Sequence, residues 1–230
     1  QLTPIPMPEL TDEMKKAKEE GREVAEVIQY CRDHMEICVK DEELENVAAL
    51  KVAMKRLVNK YGCQAAAIQC WNQLQSEIGI MPCAANALMN EEGIPVVCET
   101  DIHGAVTALI TEAASLGEKR SFFADWTIRH PDVANGELLQ HCGPWPISVA
   151  KETPKITYPL AFDHPGSITA EAHHGKVSLV RFDGDHGDYS LLLGNAKGIE
   201  GPKGMGTYLW VEVENIKRLE AKIVEGPYIH

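Results

Sequence analysis

Apolar residues at helical spacing dominate the first 60 positions. We predict one long amphipathic helix over residues 11–40 and a second helix over residues 42–60, because apolar side chains recur every three to four positions in both. They are Met14, Ala17, Val24, Val27, Ile28, Cys31 and Met35 in the first helix, and Leu44, Val47, Ala48, Leu50, Met54, Leu57 and Val58 in the second. Thr11 or Asp12 is placed to cap the first helix, and Gly62 to end the second.

Between residues 63 and 125 the pattern changes to short apolar strands that alternate with helices. Strands are predicted at 63–70, 94–98 and 121–124, and helices at 82–90 and 102–116. Continuous apolar strands alternating with helices are typical of a parallel sheet that helices cover on both faces. We therefore predict that residues 1–120 form a three-layer, Rossmann-like α/β region that includes the N-terminal helices.

Beyond residue 120 the helical patterns largely disappear and turn residues become frequent. Gly, Pro, Asp and Asn separate six predicted strands, at 137–142, 167–173, 176–183, 188–197, 207–214 and 218–225. This density of short strands indicates an antiparallel β-barrel over residues 121–230. The predicted fold class is thus α/β followed by mainly β. The Pro-rich start and the end directly after a predicted strand indicate a fragment of a longer chain, with the barrel truncated.

Composition and charge restrict the classes of partner. The net charge of −12 and the absence of a basic stripe argue against nucleic acid and anionic membranes, which bind clustered Lys and Arg. No apolar run reaches the roughly 20 residues of a membrane helix. The seven cysteines are odd in number and include no Cys-x2-Cys pair, so we interpret most of them as buried small hydrophobes in a reducing cytoplasm.

Three chemically useful side chains follow the three predicted parallel strands. Trp71, Glu99 and Asp125 each stand where a strand ends, and ligands of open parallel sheets bind at that edge. Two carboxylates there can hold a divalent cation or exchange protons with a substrate. The alternative is helix capping, for which Asp101 is better placed. Both interpretations stay open for Glu99. Asp125 precedes no helix start, so a functional role is favoured over helix capping for this residue.

Two of the nine histidines are candidates for the same site. His141 lies within Gln-His-Cys-Gly-Pro-Trp-Pro at the end of an early barrel strand, and His230 follows the last predicted strand. A third metal ligand from the second domain is geometrically reasonable for His230. Spacing alone decides neither assignment.

Several motifs in order resemble the L-fucose/L-arabinose isomerase family. They are Ala-Ile-Gln-Cys-Trp (67–71), Pro-Cys-Ala-Ala-Asn (82–86), Gly-Ile-Pro-Val-Val-Cys-Glu-Thr-Asp-Ile-His-Gly-Ala (93–105), Phe-Phe-Ala-Asp-Trp (122–126) and His-Cys-Gly (141–143). The match is good over roughly residues 60–145. Its most specific part is Glu-x-Asp-x-x-Gly followed about one helix later by Phe-Ala-Asp. The resemblance implies the C-terminal portion of such an enzyme, part of the second α/β domain plus the barrel.

The resemblance implies a homo-oligomeric aldose–ketose isomerase that uses Mn2+ or another divalent ion and acts through an enediol. Carried over residue by residue, the metal ligands would be Glu99, Asp125 and His230. We give the proton transfers to the two carboxylates, without dividing the roles between them. Substrate binding is assigned to Trp71, Asp101 and His141, with Trp71 as a stacking platform for a monosaccharide. The alternatives are a non-catalytic sugar- or metal-binding module and a metal-dependent aldolase or hydrolase.

Overall fold

A computed structural model describes residues 1–159, 164–185 and 187–226 of this chain. The α-helices are α1 (Met7–Glu20), α2 (Arg22–His34), α3 (Asp41–Tyr61), α4 (Gln73–Ile78), α5 (Cys83–Glu91), α6 (Ile102–Ala114) and α7 (Ile216–Glu225). The strands are β1 (Glu36–Ile37), β2 (Ala66–Ala67), β3 (Val96–Val97), β4 (Asp125–Arg129), β5 (Gly136–His141), β6 (Lys155–Thr157), β7 (Ser167–Glu171), β8 (Lys176–Asp185), β9 (Asp188–Gly198) and β10 (Thr207–Val213). None of these helices is long and apolar enough to cross a membrane.

In the helical first part of the chain, α3 confirms the predicted helix over residues 42–60, whereas the predicted helix over residues 11–40 is interrupted. Gly21 adopts φ 72°, ends α1 and begins α2, so the predicted helix over 11–40 is two helices. A glycine reaches this left-handed backbone without the steric cost that a Cβ brings. α3 lies at the centre of this part, and its residues Leu44, Val47 and Leu50 are inaccessible to solvent.

The predicted α/β alternation is present, but its parallel sheet is small. β2 and β3 pair in parallel, with Ala66 opposite Val96 and Ala67 opposite Val97. The third predicted strand, 121–124, pairs with neither of them. Instead, the ring of Phe122 packs on Trp145 at 4.2 Å between centroids, and the Phe123 carbonyl accepts a 2.6 Å hydrogen bond from Trp145 Nε1. The apolar run is therefore used in packing onto one tryptophan rather than in a sheet.

Asp125 consequently does not stand at the end of a parallel strand, and that part of the prediction is wrong. It is the first residue of β4, which pairs antiparallel with β5 and places Asp125 opposite Gln140. β5 ends one residue later at His141. Asp125 thus reaches the neighbourhood of His141 through an antiparallel pair.

The second part supplies seven strands, β4 to β10, to a mixed sheet of eight described strands; β1 of the first part is the eighth, and the sheet does not close into the predicted barrel. β10 is central: it pairs antiparallel with β5 on one edge, and on the other with β7 in parallel and β9 in antiparallel. The segment predicted as the last strand, 218–225, is instead helix α7. Its Ile216 and Leu219 are buried with Leu209 and Val211 of β10, so this segment packs on the sheet instead of extending it.

Contacts cross the predicted boundary between residues 120 and 121. β1 pairs in parallel with β6, Glu36 lying opposite Lys155 and Ile37 opposite Ile156. Ile156 and Ile168 are buried in the same apolar core as the helices of the first part. The division into 1–120 and 121–230 stays a prediction, and a shared core links its two sides.

Glu137 of β5 gives a test of the described packing that is independent of function. Its side chain is 2% exposed, and its Oε2 lies 3.7 Å from Arg129 Nε. Burial raises the pKa of Glu137 to about 7; the charge of Arg129 lowers the pKa and that of Glu220 raises it. Between pH 4.5 and about pH 7, Glu137 therefore keeps its proton in the folded protein, whereas the unfolded chain has already released it.

We expect Glu137→Gln to stabilise the protein at pH 8 and to change little at pH 4.5. Because the folded-state pKa is raised, the free energy of unfolding falls as pH rises from the unfolded pKa to about 7. A shift of this size corresponds to at most about 3 kcal/mol. Urea unfolding at both pH values measures the difference, with Glu212→Gln, at an exposed position of β10, as the control. Equal effects of Glu137→Gln at both pH values would contradict the assignment.

Candidate active site

Trp71 and Glu99 meet beyond the ends of the parallel pair β2 and β3. Trp71 Nε1 donates a 3.5 Å hydrogen bond to Glu99 Oε1. Both side chains are exposed, Trp71 by 43%. The predicted convergence of these two residues on one edge is therefore confirmed, and it follows from parallel strands that run in the same direction.

Glu99 is held by an unusual backbone turn. Glu99 and Thr100 have φ values of 61° and 57°, in the left-handed region that non-glycine residues, and β-branched ones above all, rarely occupy. Two hydrogen bonds fix the turn, from Thr100 N to the Ile68 carbonyl at 3.1 Å and from Asp101 N to the Cys98 carbonyl at 3.2 Å. Local strain of this kind clusters at ligand-binding and catalytic positions.

Asp101 caps helix α6, as its position suggested. Its Oδ1 accepts a 2.8 Å hydrogen bond from Gly104 N. Both of its carboxylate oxygens also receive hydrogen bonds from the Arg181 guanidinium, one of them from Nη2 at 3.0 Å. The substrate-binding role of Asp101 stays a prediction, since this carboxylate is already engaged by a cap and an ion pair.

The ion pair continues into a buried network that the sequence analysis did not anticipate. Arg181 Nη2 also lies 3.2 Å from Asp183 Oδ2, and His103 Nδ1 lies 2.7 Å from Asp183 Oδ1. The Arg181 and Asp183 side chains are 8% and 5% exposed. The network ties β8 to α6 and to the turn that carries Glu99. The Arg-x-Asp spacing within β8 was the available signal, because residues two apart in a strand face the same side.

His141 is a buried imidazole close enough to Glu99 and Asp125 to be affected by their charges. It is 5% exposed, its Nδ1 lies 3.3 Å from Cys142 Sγ, and its ring packs 5.1 Å from that of Phe123. Burial lowers the pKa of His141, but the hydrogen bond to Cys142 and the negative charges of Cys142, Asp125 and Glu99 raise the pKa above its ordinary value. Both carboxylates predicted to be catalytic therefore act electrostatically on one buried imidazole.

Cysteines from separate elements surround this imidazole. Cys142 Sγ lies 3.0 Å from Cys83 Sγ, and Cys98 directly precedes Glu99 in the chain. The pKa of Cys142 is held well below its ordinary value because the thiols of Cys83 and Cys98 donate hydrogen bonds to its sulfur. The same hydrogen bond to Cys142 holds the pKa of Cys83 above its ordinary value. Their interpretation as simple apolar fillers is therefore incomplete.

The third predicted metal ligand, His230, lies outside the described residues. A groove of about 580 Å³ lies between α2, α3 and α5, away from the candidate residues. Charged side chains dominate its lining, among them Glu23, Lys51 and Arg56. None of the residues that line this groove belongs to the predicted site.

The chain resembles curated proteins over most of its length. It is 26% identical over 200 residues to the sulfoquinovose isomerase of Alkalicoccus urumqiensis, an alignment covering 85% of this chain and 44% of that protein. It is 27% identical over 180 residues to the sulfoquinovose isomerases of Priestia aryabhattai and Priestia megaterium, covering 75% of this chain and 39% of each. The chain is thus similar in sequence to proteins named as isomerases of a sugar.

This similarity supports a resemblance to sugar isomerases in general and does not single out the L-fucose/L-arabinose isomerases. The chain spans about two fifths of the length of the curated relatives it matches. No protein-family model matches it.

Proposed function

We propose that this chain carries the proton-transfer centre of an aldose–ketose isomerase that acts on a monosaccharide. The observation that supports this most strongly is the position of the buried His141 in the field of both Glu99 and Asp125. Two carboxylates and an imidazole are the kinds of group that moving a proton between two sugar carbons requires. The similarity to sulfoquinovose isomerases supports the same reaction class.

Each residue has a role in the proposed reaction. One of the two carboxylates, Glu99 or Asp125, removes the proton at C2 of an open-chain aldose, which leaves an enediol, and delivers a proton to C1. The other carboxylate moves the proton of the C2 hydroxyl to the C1 oxygen, so that the C1 carbonyl becomes an alcohol and the C2 alcohol becomes a carbonyl. His141 donates a hydrogen bond to a sugar oxygen, and the exposed indole of Trp71 packs against the apolar face of the sugar.

The donor set fits a hard divalent cation such as Mn2+. Carboxylate oxygens are the ligands that such ions prefer, and Glu99 and Asp125 supply them. We propose Glu99, Asp125 and His230 as the ligands. When bound, the cation would polarise the sugar carbonyl and stabilise negative charge on its oxygen.

Removal of divalent metal from the full natural protein that contains this chain should abolish isomerisation, and added Mn2+ should restore it. The assay follows ketose formation from sulfoquinovose, L-fucose, L-arabinose and D-glucose in D2O. Deuterium at C1 of the product identifies proton transfer through solvent-exchangeable groups. If a sugar binds but none is converted with Mn2+ present, a non-catalytic binding module explains the chain better.

A further inference from the structure

Three cysteines and one histidine from distant parts of the chain form a cluster beside the proposed carboxylate site. Cys98 follows β3, His141 ends β5, Cys142 comes next, and Cys83 begins α5. One ligand atom each from Cys98, His141 and Cys142 lies within 4.8 Å of the other two. Cys83 Sγ lies 3.0 Å from Cys142 Sγ, and Cys142 Sγ lies 3.3 Å from His141 Nδ1. Three donor atoms therefore share one small volume, and the sulfur of Cys83 contacts one of them.

The spacing of these donor atoms is close to what one tetrahedral ion requires. With Zn–S bonds of 2.3 Å and Zn–N bonds of 2.0–2.1 Å, the ligand atoms of a zinc site lie about 3.5–3.8 Å apart. Cys142 Sγ lies somewhat closer than this to Cys83 Sγ and His141 Nδ1, at 3.0 and 3.3 Å, and the ligand atoms of Cys98, His141 and Cys142 lie within 4.8 Å of one another. Small side-chain rotations therefore suffice to place the four atoms around an ion.

The chemistry of the cluster differs from that of the neighbouring carboxylates. Thiolate sulfurs select soft ions such as Zn2+, whereas carboxylates suit Mn2+ and Mg2+. Three cysteines and one histidine are one of the common ligand sets of zinc sites. The cluster is also protected from solvent, since Cys83 and Cys98 are inaccessible and His141 is 5% exposed. A buried ion would neutralise thiolates that water cannot solvate.

We propose that Cys83, Cys98, His141 Nδ1 and Cys142 form a binding site for Zn2+ or a similarly thiophilic cation, which shares His141 with the proposed proton-transfer centre but includes neither of its carboxylates. The proposal does not depend on the isomerase function. The sequence shows no Cys-x2-Cys pair here, because the four ligands come from separate elements: the start of α5, the segment after β3 and the end of β5.

Cobalt titration of the reduced, metal-free full natural protein tests this directly. Co2+ reports thiolate ligands by a charge-transfer absorption, and Zn2+ added afterwards should remove that absorption by displacement. We expect one such site per chain in the wild type and in Cys38→Ser, an exposed cysteine distant from the cluster. Cys98→Ser and Cys142→Ser should each weaken Co2+ binding at least about tenfold. Substitution of a residue that only supports a metal ligand already costs about that much affinity, and these two residues are proposed as ligands themselves.

Two further measurements keep the result decisive. Glu99→Gln should retain the cobalt–thiolate absorption, which separates this site from the proposed carboxylate site. In the wild type, Zn2+ should slow alkylation of Cys142 but not of Cys38, and this measurement does not require any variant to fold. The proposal is overturned if the absorption is absent, if it persists in both Cys98→Ser and Cys142→Ser, or if Zn2+ leaves the alkylation of Cys142 unchanged.

Discussion

Glu99→Gln is expected to lower kcat/KM for sugar isomerisation by about 10²–10⁴-fold, the range that a positioned general acid or base contributes. The substitution keeps the size of the side chain and its ability to accept a hydrogen bond from Trp71, but removes the negative charge. Because Glu99 is exposed, the fold should be unaffected. Steady-state kinetics on the most rapidly converted sugar of the isomerisation assay measure the change in kcat/KM, and circular dichroism shows whether the fold is retained.

The matched control for this prediction is Glu118→Gln. Glu118 is an exposed glutamate in the turn after α6, and it takes no part in the proposed site. Its substitution should leave kcat/KM within about twofold of the wild type. Comparable activities of Glu99→Gln and wild type would remove Glu99 from the chemistry.

Arg181→Met should destabilise the protein by about 3–5 kcal/mol, since removing one partner leaves buried charges uncompensated. The Asp101 and Asp183 side chains are 11% and 5% exposed, and both contact this guanidinium. Met preserves much of the length of the Arg side chain but supplies no donor. Urea unfolding at pH 7 gives the change in the free energy of unfolding.

Arg218→Met is the control for the Arg181 prediction. Arg218 lies on the exposed face of α7, so its loss should change stability by less than about 0.5 kcal/mol. Arg181→Lys should lie between wild type and Arg181→Met, because one ammonium group cannot reproduce the bidentate contact. A loss below about 1 kcal/mol for Arg181→Met would mean that the two aspartates are solvated or otherwise compensated.

Local patterns were sufficient to predict the part of the site that depends on local structure. An apolar strand ending in Glu99, an acidic residue at the start of α6, and Trp71 after the preceding strand all follow from periodicity and helix-capping rules. The same rules placed Asp125 near the site for the wrong reason. The run 121–124 has the composition of a buried strand, but Trp145 competes for it, and composition does not reveal a packing partner 22 residues away.

The remaining features depend on contacts between distant positions. Arg181 meets Asp101 across 80 residues, and Cys83 meets Cys142 across 59, so neither pair has a local signature. Helix α7 was a different kind of error. Ile216, Leu219 and Ile223 recur at helical spacing, but residues 218–225 were predicted as a strand.

Calorimetric titration of Mn2+ tests the central claim, that Glu99 and Asp125 form one cation site, most directly. The wild type, Glu99→Gln, Asp125→Asn and the control Asp132→Asn, an exposed aspartate near the end of β4, are compared as the metal-free full natural protein. We predict that Glu99→Gln and Asp125→Asn each weaken Mn2+ binding at least about tenfold, while Asp132→Asn binds as the wild type does. Unchanged Mn2+ affinity in both Glu99→Gln and Asp125→Asn would contradict the account.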